Sequence, residues 1–459
     1  MKRKMKNACR AVCFVLTLLF GVVAFASAQG MPTAVPEQVG LSSERLERID
    51  KFIQTQMDNK EISGASVIVG RRGKVAYKKA FGLADIDAKK PMRTDTIFRL
   101  CSSSKMIGAV AGMIAWEDGL FDLYDPVSKY IPEVKDLKVM EVDPNDPSKY
   151  KIVPARTPML MYQAFNFTAG MSYHLLLGFT HPALQKMFDD APINDGYWPN
   201  TYTNVEWLKE RVKLPLVNHP GEQFNYGRNL QVMTAVIEVI TGMSFGEWCQ
   251  KRIFDPLGMN DTHFFVPDEK MDRVASLYFK LDGKLVKAEE GKTYLGMEYG
   301  ISEVIDPYWF RASKNPKKYY GAGESLLSTV EDYAKFLQML VNGGELNGAR
   351  ILSPKTIEFM NAKHIKDWGV CKQLFDQYFA GYTWGLGWAV LEDVGVGHHI
   401  GTPIGKGKGP QITWNGWMGT RQYVDFEEEL FVILMSQKLP APQPWIDKLK
   451  DLVYQAIIE

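Results

Sequence analysis

The sequence from residue 101 to residue 116, CSSSKMIGAVAGMIAW, decides how the rest of the chain is interpreted. After Lys105 it contains no charged residue and no proline, and a helix that is apolar on every side belongs in a protein interior. Ser102 and Lys105 stand three residues apart, so a helix places them on one face, about 4.5 Å apart along its axis. A hydroxyl and an amine at the start of a buried helix indicate a nucleophile site. The alternative is that Ser102 or Ser103 only caps the helix.

The first 28 residues predict a secretory signal peptide. Five basic residues between positions 2 and 10 precede an apolar run from Ala11 to Ala26, and Ala26-Ser27-Ala28 offers a small-residue cleavage site. The apolar run is short for a membrane span, and no lipobox-like sequence ends it. We therefore expect an exported mature chain that begins near Gln29, is periplasmic or extracellular, and has no stable membrane anchor.

The composition argues against several classes of partner and fold. Without the first 28 residues the chain has 49 basic and 53 acidic residues, a balance that does not favour nucleic acid or an anionic membrane as partner. The remaining cysteines are Cys101, Cys249 and Cys371, too few for a disulfide scaffold in an exported chain, so burial must stabilise the core. The histidines show no spacing typical of a metal site, and we expect neither a metal nor another cofactor.

The distribution of strand and helix patterns predicts an α+β fold. Strand patterns lie near both ends of the chain, around a mostly helical middle. After a linker at 29–40, we expect one domain, 41–459. Its α/β lobe (41–119 and 311–459) contains an antiparallel sheet flanked by helices, and the inserted lobe (120–310) is mostly helical. The predicted elements are a surface helix from Ser42, a hairpin at 65–70 and 74–81, helices at 204–212, 229–241, 244–253 and around 446–457, and strands at 384–392, 421–425 and 430–435.

Tyr226 is the candidate for a third member of the nucleophile site. A serine hydroxyl is a poor nucleophile until a neighbouring group accepts its proton, which Lys105 can do when burial keeps its amine neutral. Tyr226 lies in a turn that leads into a predicted helix. Tyr202 is its rival, but Thr203 and Glu206 form a capping box there, which explains that sequence on structural grounds.

Three other segments imitate functional motifs and are set aside. Ser148-Lys149-Tyr150-Lys151 repeats the Ser-x-x-Lys spacing, but in a predicted loop. Residues 242–246 match the Gly-x-Ser-x-Gly nucleophile elbow, which requires a preceding strand, whereas here a helix precedes it. We expect Gly242 to end that helix and Ser244 to cap the next one. The glycine-rich segment 401–407 departs from the P-loop pattern and predicts an ordinary loop.

Four segments together resemble one known family. They are residues 98–105, the Pro-Gly-x-x-Phe-x-Tyr turn at 220–226, Asp255–Met259, and Leu327-Ser328-Thr329-x-x-Asp332. They resemble the serine β-lactamase-like superfamily, which includes class C β-lactamases, D-Ala-D-Ala peptidases and family VIII carboxylesterases. The resemblance runs from Ser42 to Gln437 and implies a β-lactamase/transpeptidase-like fold. It also implies Ser102 as nucleophile, with Lys105 and Tyr226 transferring its proton.

The resemblance implies a third motif on a strand beside the nucleophile. The family's Lys-Thr-Gly or His-x-Gly corresponds to Trp414-Asn415-Gly416, and a Trp-x-Gly form resembles the carboxylesterase and transesterase branch. The backbone N–H groups of Ser102 and Trp417 are the implied oxyanion donors. In a β-lactamase or peptidase the motif's lysine helps to bind the substrate carboxylate, and Trp414 cannot supply that charge.

Two segments depart from the family pattern. The second motif, Tyr226-Gly227-Arg228, lacks the usual asparagine, for which Arg228 or Asn229 is a partial substitute. The family's His-Thr-Ser/Ala-Gly segment appears as Phe167-Thr168-Ala169-Gly170, without the histidine. The residues that shape the substrate pocket are expected at 162–198 and 299–309.

The sequence thus predicts an exported serine hydrolase with an acyl-enzyme mechanism on Ser102, most consistent with a carboxylesterase or transesterase. One alternative is a β-lactamase or D-Ala-D-Ala carboxypeptidase, and another is a non-catalytic binding protein on the same scaffold. Lys105 and Tyr226 would titrate as a coupled pair, so either can be the resting base. Cys101 is expected to be a buried structural thiol. A small-molecule acyl substrate is the expected partner, and the oligomeric state stays open.

Overall fold

The strands and helices between residues 32 and 459 fold as one unit in the computed structural model. The structure describes residues 30–173, 181–191, 193, 202–289, 309–311, 313, 318–396, 400–439 and 445–459. The predicted signal peptide, 1–28, lies outside these residues, so export stays a prediction. Parts of the predicted pocket segments 162–198 and 299–309 also lie outside the described residues, namely 174–180, 192, 194–198 and 299–308.

The strands follow the chain from the first hairpin to the C-terminal third. They are β1 (Gly64–Arg71), β2 (Lys74–Asp85), β3 (Lys90–Pro91), β4 (Phe98–Arg99), β5 (Lys138–Asp143), β6 (Asp146–Pro154), β7 (Tyr278–Leu281), β8 (Lys284–Lys287), β9 (Leu327–Ser328), β10 (Glu345–Leu346), β11 (Ala349–Arg350), β12 (Tyr382–Trp384), β13 (Ala389–Leu391), β14 (Gln411–Gly416), β15 (Thr420–Asp425), β16 (Leu430–Met435) and β17 (Lys438–Leu439).

The helices lie on both sides of the sheet and in the inserted region. They are α1 (Ser43–Leu46), α2 (Arg48–Asp58), α3 (Ser104–Glu117), α4 (Met161–Phe165), α5 (Pro182–Asp189), α6 (Asn204–Arg211), α7 (Leu230–Thr241), α8 (Phe245–Cys249), α9 (Asp255–Leu257), α10 (Val330–Val341), α11 (Pro354–Met360), α12 (Lys372–Tyr378) and α13 (Trp445–Tyr454).

The main sheet joins the two ends of the chain, as the sequence predicts. Within the described residues its strand order is β12-β13-β14-β15-β16-β1-β2-β3, and every pair is antiparallel. In the β1–β16 pair, Ser66 lies opposite Met435 and Arg71 opposite Leu430. The β14–β15 hairpin therefore sits in mid-sheet, where paired strands on both sides fix its position.

One face of the sheet is covered by α1, α2 and α13. Ile49 and Ile53 from α2 and Leu449 from α13 pack on Val67 and Val69 of β1 in a single apolar cluster. Fully burying each such side chain contributes roughly 1.5–3 kcal/mol. The predicted surface helix with one buried stripe and the predicted β1–β2 hairpin are confirmed.

The predicted buried helix is α3, in which every residue from Ser104 to Ala115 is buried. Two glycines let it approach its neighbours closely. A Cβ on Gly108 would lie 2.7 Å from the Cβ of Ala322, and one on Gly112 would lie 2.6 Å from the Phe165 ring. The helix is therefore held in place on several sides, and its N-terminal end is fixed with it.

The structure differs from the predicted elements at four places. The expected strand 384–392 is two strands, because Gly387 adopts φ +100° and turns the chain between β12 and β13. The helix expected at 244–253 leaves α geometry after Cys249 and continues as a π-helical turn. The predicted linker is partly packed on the sheet, since the Ala34 N–H donates to Val75 O and Val39 is buried.

The fourth difference is in the inserted region, where strands accompany the predicted helices. Strands β5 and β6 form a hairpin there, and β7 pairs with β8. Ser148 consequently lies on an exposed strand and not in a loop. No single helix of the described chain has both the length and the apolar composition to cross a membrane. The segments Leu230–Thr241 and Phe245–Leu257 have that length and composition only when they are counted together, and they are bent by 87° relative to each other.

Candidate active site

Ser102 and Lys105 meet at the N-terminal end of α3. Residues Cys101–Ser103 form a 3-10 turn, and the α-helix begins at Ser104. Lys105 Nζ donates to Ser102 Oγ at 3.0 Å, so the predicted pair is in hydrogen-bond contact. Ser103 occupies the N-cap position without a side-chain capping bond, and its hydroxyl instead contacts Thr420 Oγ1 at 2.8 Å. The capping alternative therefore does not hold for Ser103.

The amine of Lys105 is fully buried and surrounded by acceptors. Besides Ser102 it donates to the hydroxyl of Tyr173 at 2.8 Å and to the carbonyl of Gly323 at 2.7 Å. Burial disfavours the charged form and lowers the pKa of Lys105 to about 7. The three donated hydrogen bonds describe the protonated amine. Near neutral pH the unprotonated form is also well populated, and its lone pair can accept the proton of the Ser102 hydroxyl.

Tyr226 lies in the same site, whereas Tyr202 lies beside a helix cap. The Tyr226 ring centroid is 4.9 Å from Lys105 Nζ, and Ser102 is close enough to influence the pKa of the Tyr226 hydroxyl. Burial raises the pKa of Tyr226, and the interactions with Ser102 and Trp414 oppose this rise. At the rival position, Thr203 caps α6 in a capping box with Glu206, as expected.

Trp414, on β14, faces the catalytic tyrosine candidate. Its Nε1 donates to the Tyr226 hydroxyl at 3.1 Å. The indole ring stacks on Phe379 at 4.8 Å and meets Trp384 edge-on at 4.7 Å. Trp414 is only 2% exposed. With Phe379 and Trp384 it forms an aromatic wall, and its indole provides a single N–H donor. Phe167, which replaces the family's histidine, extends this wall by stacking on Tyr226 at 5.8 Å.

The third-motif strand runs directly against the nucleophile turn. A Cβ on Gly416 would lie 2.1 Å from Leu100 O, so only glycine permits this approach, and Asn415 beside it is half-buried. Thr420 Oγ1 donates to the same carbonyl at 3.0 Å. The predicted oxyanion donors, Ser102 and Trp417, thus belong to two turns that hydrogen bonds hold side by side.

Cys101 supports this arrangement from within the core. It has φ +45°, a left-handed conformation that is uncommon for a residue other than glycine and that typically costs of order 1–3 kcal/mol. The Met418 backbone in the β14–β15 turn is close enough to the thiol to oppose part of the rise in its pKa. Burial raises the pKa of Cys101 to about 12, so the thiol stays protonated at neutral pH. These properties are those of a structural thiol and not of a nucleophile.

A sequence profile described as Beta-lactamase matches residues 49–453. The chain belongs to the beta-lactamase family. The family resemblance and the β-lactamase/transpeptidase-like α+β fold predicted from the motifs are thereby confirmed. The chain is thus related to the serine hydrolases of this family, including proteins described as esterases.

Two curated members of the family and one solved structure illustrate the relationship. Esterase EstB of Burkholderia gladioli is 27% identical over 417 residues, which cover 89% of this chain and 94% of EstB. Lovastatin esterase of Penicillium rubens is 28% identical over 384 residues, covering 81% and 85%. The structure of EstCE1, a hydrolase with promiscuous acyltransferase activity, matches with a TM-score of 0.74 at 24% identity, covering 90% of this chain and 99% of EstCE1.

Neither proposed substitute for the family's second-motif asparagine occupies the nucleophile site itself. The Asn229 amide donates to Asn225 O at 2.9 Å and so holds its own turn. Arg228 donates to the hydroxyl of Tyr319 at 3.0 Å and pairs with Glu324 at 3.4 Å. The departure at this motif therefore brings a buried ion pair into the neighbourhood of Lys105.

Sequence reasoning missed Tyr173 and Glu324. Tyr173 follows the Phe167–Gly170 segment by three residues, and only its contact with Lys105 distinguishes it from a packing tyrosine. Glu324 precedes the Leu327-Ser328-Thr329 segment by three residues. A charged residue there, inside an otherwise small and apolar stretch, is the signal that was available.

The other motif-like segments have structural roles. Gly242 ends α7 at φ +68°, and Ser244 caps α8 in a capping box with Glu247, as predicted. Residues 400–410 form a loop. Within the described part of the chain, no group of three or more His, Cys, Asp or Glu side chains could hold a metal ion. The expectation that the protein needs no metal stays a prediction.

Proposed function

We propose that the chain is an exported serine esterase or transesterase of the beta-lactamase family, acting through an acyl-enzyme on Ser102. The observation that carries the proposal is the contact of Lys105 Nζ with Ser102 Oγ at 3.0 Å inside a buried site. Burial that lowers the pKa of Lys105 to about 7 supplies a base without a cofactor.

In the proposed reaction, Ser102 Oγ attacks the ester carbonyl and loses its proton to the Lys105–Tyr226 pair. That pair then protonates the departing alcohol. The backbone N–H groups of Ser102 and Trp417 stabilise the oxyanion. Water, or an acceptor alcohol in a transesterase, releases the acyl group, and its proton returns by the same pair.

The preference for esters rests on Trp414. This position would carry a cation in a site that binds a substrate carboxylate, but the indole N–H already donates to Tyr226. The surrounding rings of Phe379 and Trp384 favour a neutral, apolar acyl group. A β-lactam or D-Ala-D-Ala substrate would bring a carboxylate to this aromatic wall and would lose its hydration there.

The first experiment is treatment with a fluorophosphonate, followed by intact-mass analysis. We expect one adduct on the protein and none on Ser102→Ala. An adduct that persists in Ser102→Ala would place the nucleophile elsewhere, and an unmodified wild type would favour a non-catalytic scaffold.

The second experiment compares p-nitrophenyl esters of different acyl length with a chromogenic cephalosporin and a D-Ala-D-Ala peptide. We expect turnover of the esters alone. Faster turnover of the cephalosporin or the peptide would overturn the ester assignment. Export is tested separately by the mass of the secreted protein, whose N-terminus we expect near Gln29.

A further inference from the structure

A buried ion pair lies behind the nucleophile site. Arg228 and Glu324 have side chains exposed by only 2% and 0%, and Arg228 Nη1 lies 3.4 Å from Glu324 Oε1. The Tyr319 hydroxyl joins the pair, since it lies 3.0 Å from the guanidinium and 3.1 Å from the carboxylate. Gln231 Nε2 donates to the second carboxylate oxygen at 2.5 Å. The carboxylate is therefore well supplied with donors.

Each member of this pair adjoins a group that holds Lys105. Glu324 directly follows Gly323, whose carbonyl accepts a hydrogen bond from Lys105 Nζ at 2.7 Å. Arg228 lies over the ring of Tyr173, 5.8 Å from its centroid, and the Tyr173 hydroxyl accepts from Lys105 Nζ at 2.8 Å. A negative and a positive group thus approach the same amine from two different loops.

We propose that Arg228 and Glu324 are positioning residues that set the charge of Lys105 by acting on it with opposite signs. The carboxylate favours the protonated amine and the guanidinium disfavours it. Buried charges are weakly screened by solvent, so both influences reach Lys105. Burial favours the neutral amine, and the opposite influences of Glu324 and Arg228 adjust the pH at which that neutral amine becomes available to Ser102.

Among the described residues, the other groups that act on Lys105 do not carry a competing charge at neutral pH. The Cys101 thiol is protonated there, because burial raises its pKa to about 12. Tyr226 is also neutral, since burial raises its pKa. Ser102 and Tyr173 contact the amine through their hydroxyl oxygens. Arg228 and Glu324 are therefore the charged pair that acts on the amine.

The inference rests on the proposed role of Lys105, but its test does not need catalysis. The titration of Lys105 is followed by the ¹³Cε chemical shift, assigned with Lys105→Arg. We expect a wild-type midpoint near pH 7. Glu324→Gln should lower the midpoint by about 1 pH unit, and Arg228→Gln should raise it by about 1 pH unit. The double variant should return to within about 0.3 pH units of wild type.

Shifts in opposite directions are the decisive result, because loosened packing alone would not reverse its sign between the two variants. Glu428→Gln is the matched control: it removes the carboxylate that pairs with Arg71 at 2.6 Å and should leave the midpoint unchanged. If Arg228→Gln does not fold, the single variants Glu324→Gln and Arg228→Lys are compared instead. Arg228→Lys keeps the positive charge, so Lys105 should titrate in it as in wild type. Equal, absent or same-direction shifts would overturn the inference.

The pH dependence of fluorophosphonate labelling separates this inference from the proposed function. If labelling follows the Lys105 midpoint in every variant, both stand. If the midpoints shift as expected while no variant and no wild type is labelled, the pair controls Lys105 but Ser102 is not an acylating nucleophile. If wild type is labelled and the midpoints do not move, the proposed function stands and the inference fails.

Discussion

The indole Nε1 of Trp414 donates a hydrogen bond to the hydroxyl of Tyr226 over 3.1 Å. This bond joins the third-motif strand to the second-motif turn, which are separated by 188 positions in the chain. A lysine in place of Trp414 would present a charge here, whereas the indole presents one fixed N–H and a large apolar face. The bond therefore links substrate preference to the orientation of the tyrosine.

Trp414→Phe tests this link. It removes the donor but keeps an aromatic ring between Phe379 and Trp384. We expect kcat/KM for p-nitrophenyl esters to fall about 10-fold, because a hydrogen bond that orients Tyr226 contributes roughly 1–1.5 kcal/mol. Trp388→Phe is the control, since Trp388 Nε1 donates to Asn361 at 3.0 Å inside the core. An equal loss of kcat/KM in Trp414→Phe and Trp388→Phe would contradict a specific role for Trp414.

The two tyrosines at Lys105 are expected to differ in importance. Tyr226→Phe removes the hydroxyl proposed to transfer the Ser102 proton and should slow acylation by about 10²–10⁴-fold. Tyr173→Phe removes one of three acceptors of Lys105 and should slow it by only about 10-fold. Single-turnover acylation rates measured by stopped flow check this order. A larger effect for Tyr173→Phe would make Tyr173 the proton-transfer partner.

The buried amine gives the unfolding free energy a predictable pH dependence. The folded pKa of Lys105 is about 7, well below its value in an unfolded chain, so between these values only the unfolded state binds the proton. Burial of this amine therefore costs stability at low pH, and the cost disappears as the pH rises through the unfolded value. From pH 7.5 to pH 9.5, wild type should gain about 2 kcal/mol relative to Lys105→Met.

Denaturant unfolding of both proteins at the two pH values measures this gain. The comparison with Lys105→Met cancels the titrations that the two proteins share. A constant difference between wild type and Lys105→Met over this range would show that Lys105 titrates normally in the folded protein.

Cys101 should be dispensable for chemistry despite standing next to Ser102. Cys101→Ala is expected to keep its fluorophosphonate adduct, with an acylation rate within about 3-fold of wild type, because the thiol is buried and protonated. Iodoacetamide should leave Cys101 unmodified in the native protein. Loss of acylation in a folded Cys101→Ala protein would assign the thiol a direct role.

Local sequence patterns predicted the elements whose burial is regular. Residues Ser104–Ala115 of α3 and all residues of β1 and β16 are buried, and their largely apolar composition reveals them. Strand β15 is also buried throughout, but it contains Arg421, Gln422 and Asp425. The β5–β6 hairpin escaped prediction because β6 is exposed along most of its length and reads as a polar segment. The predicted strand 384–392 is too long, because the hydrophobicity pattern does not reveal the positive φ at Gly387.

The candidate site was predictable only where residues recur in a known pattern. Ser102 and Lys105 share one turn, so their contact follows from spacing. Tyr173 and Gly323, the residue before Glu324, contact Lys105 from positions 68 and 218 residues further along, and such proximity is created by tertiary packing. Arg228 was noticed because it replaces an expected asparagine, but its partner Glu324 became visible only in the fold.

The hydrogen bonds between the Ser102 turn and β15 also bear on how the chain matures. They span 317 and 320 residues, from Ser103 to Thr420 and from Leu100 to Thr420. Contacts of such long sequence separation form late in folding, because a large loop must close first. A nascent chain that ends at β14 contains Ser102 and Lys105 but lacks Thr420, which makes these hydrogen bonds. We therefore expect Ser102 to remain unreactive toward acylating reagents until β15 has been synthesised and these bonds can form.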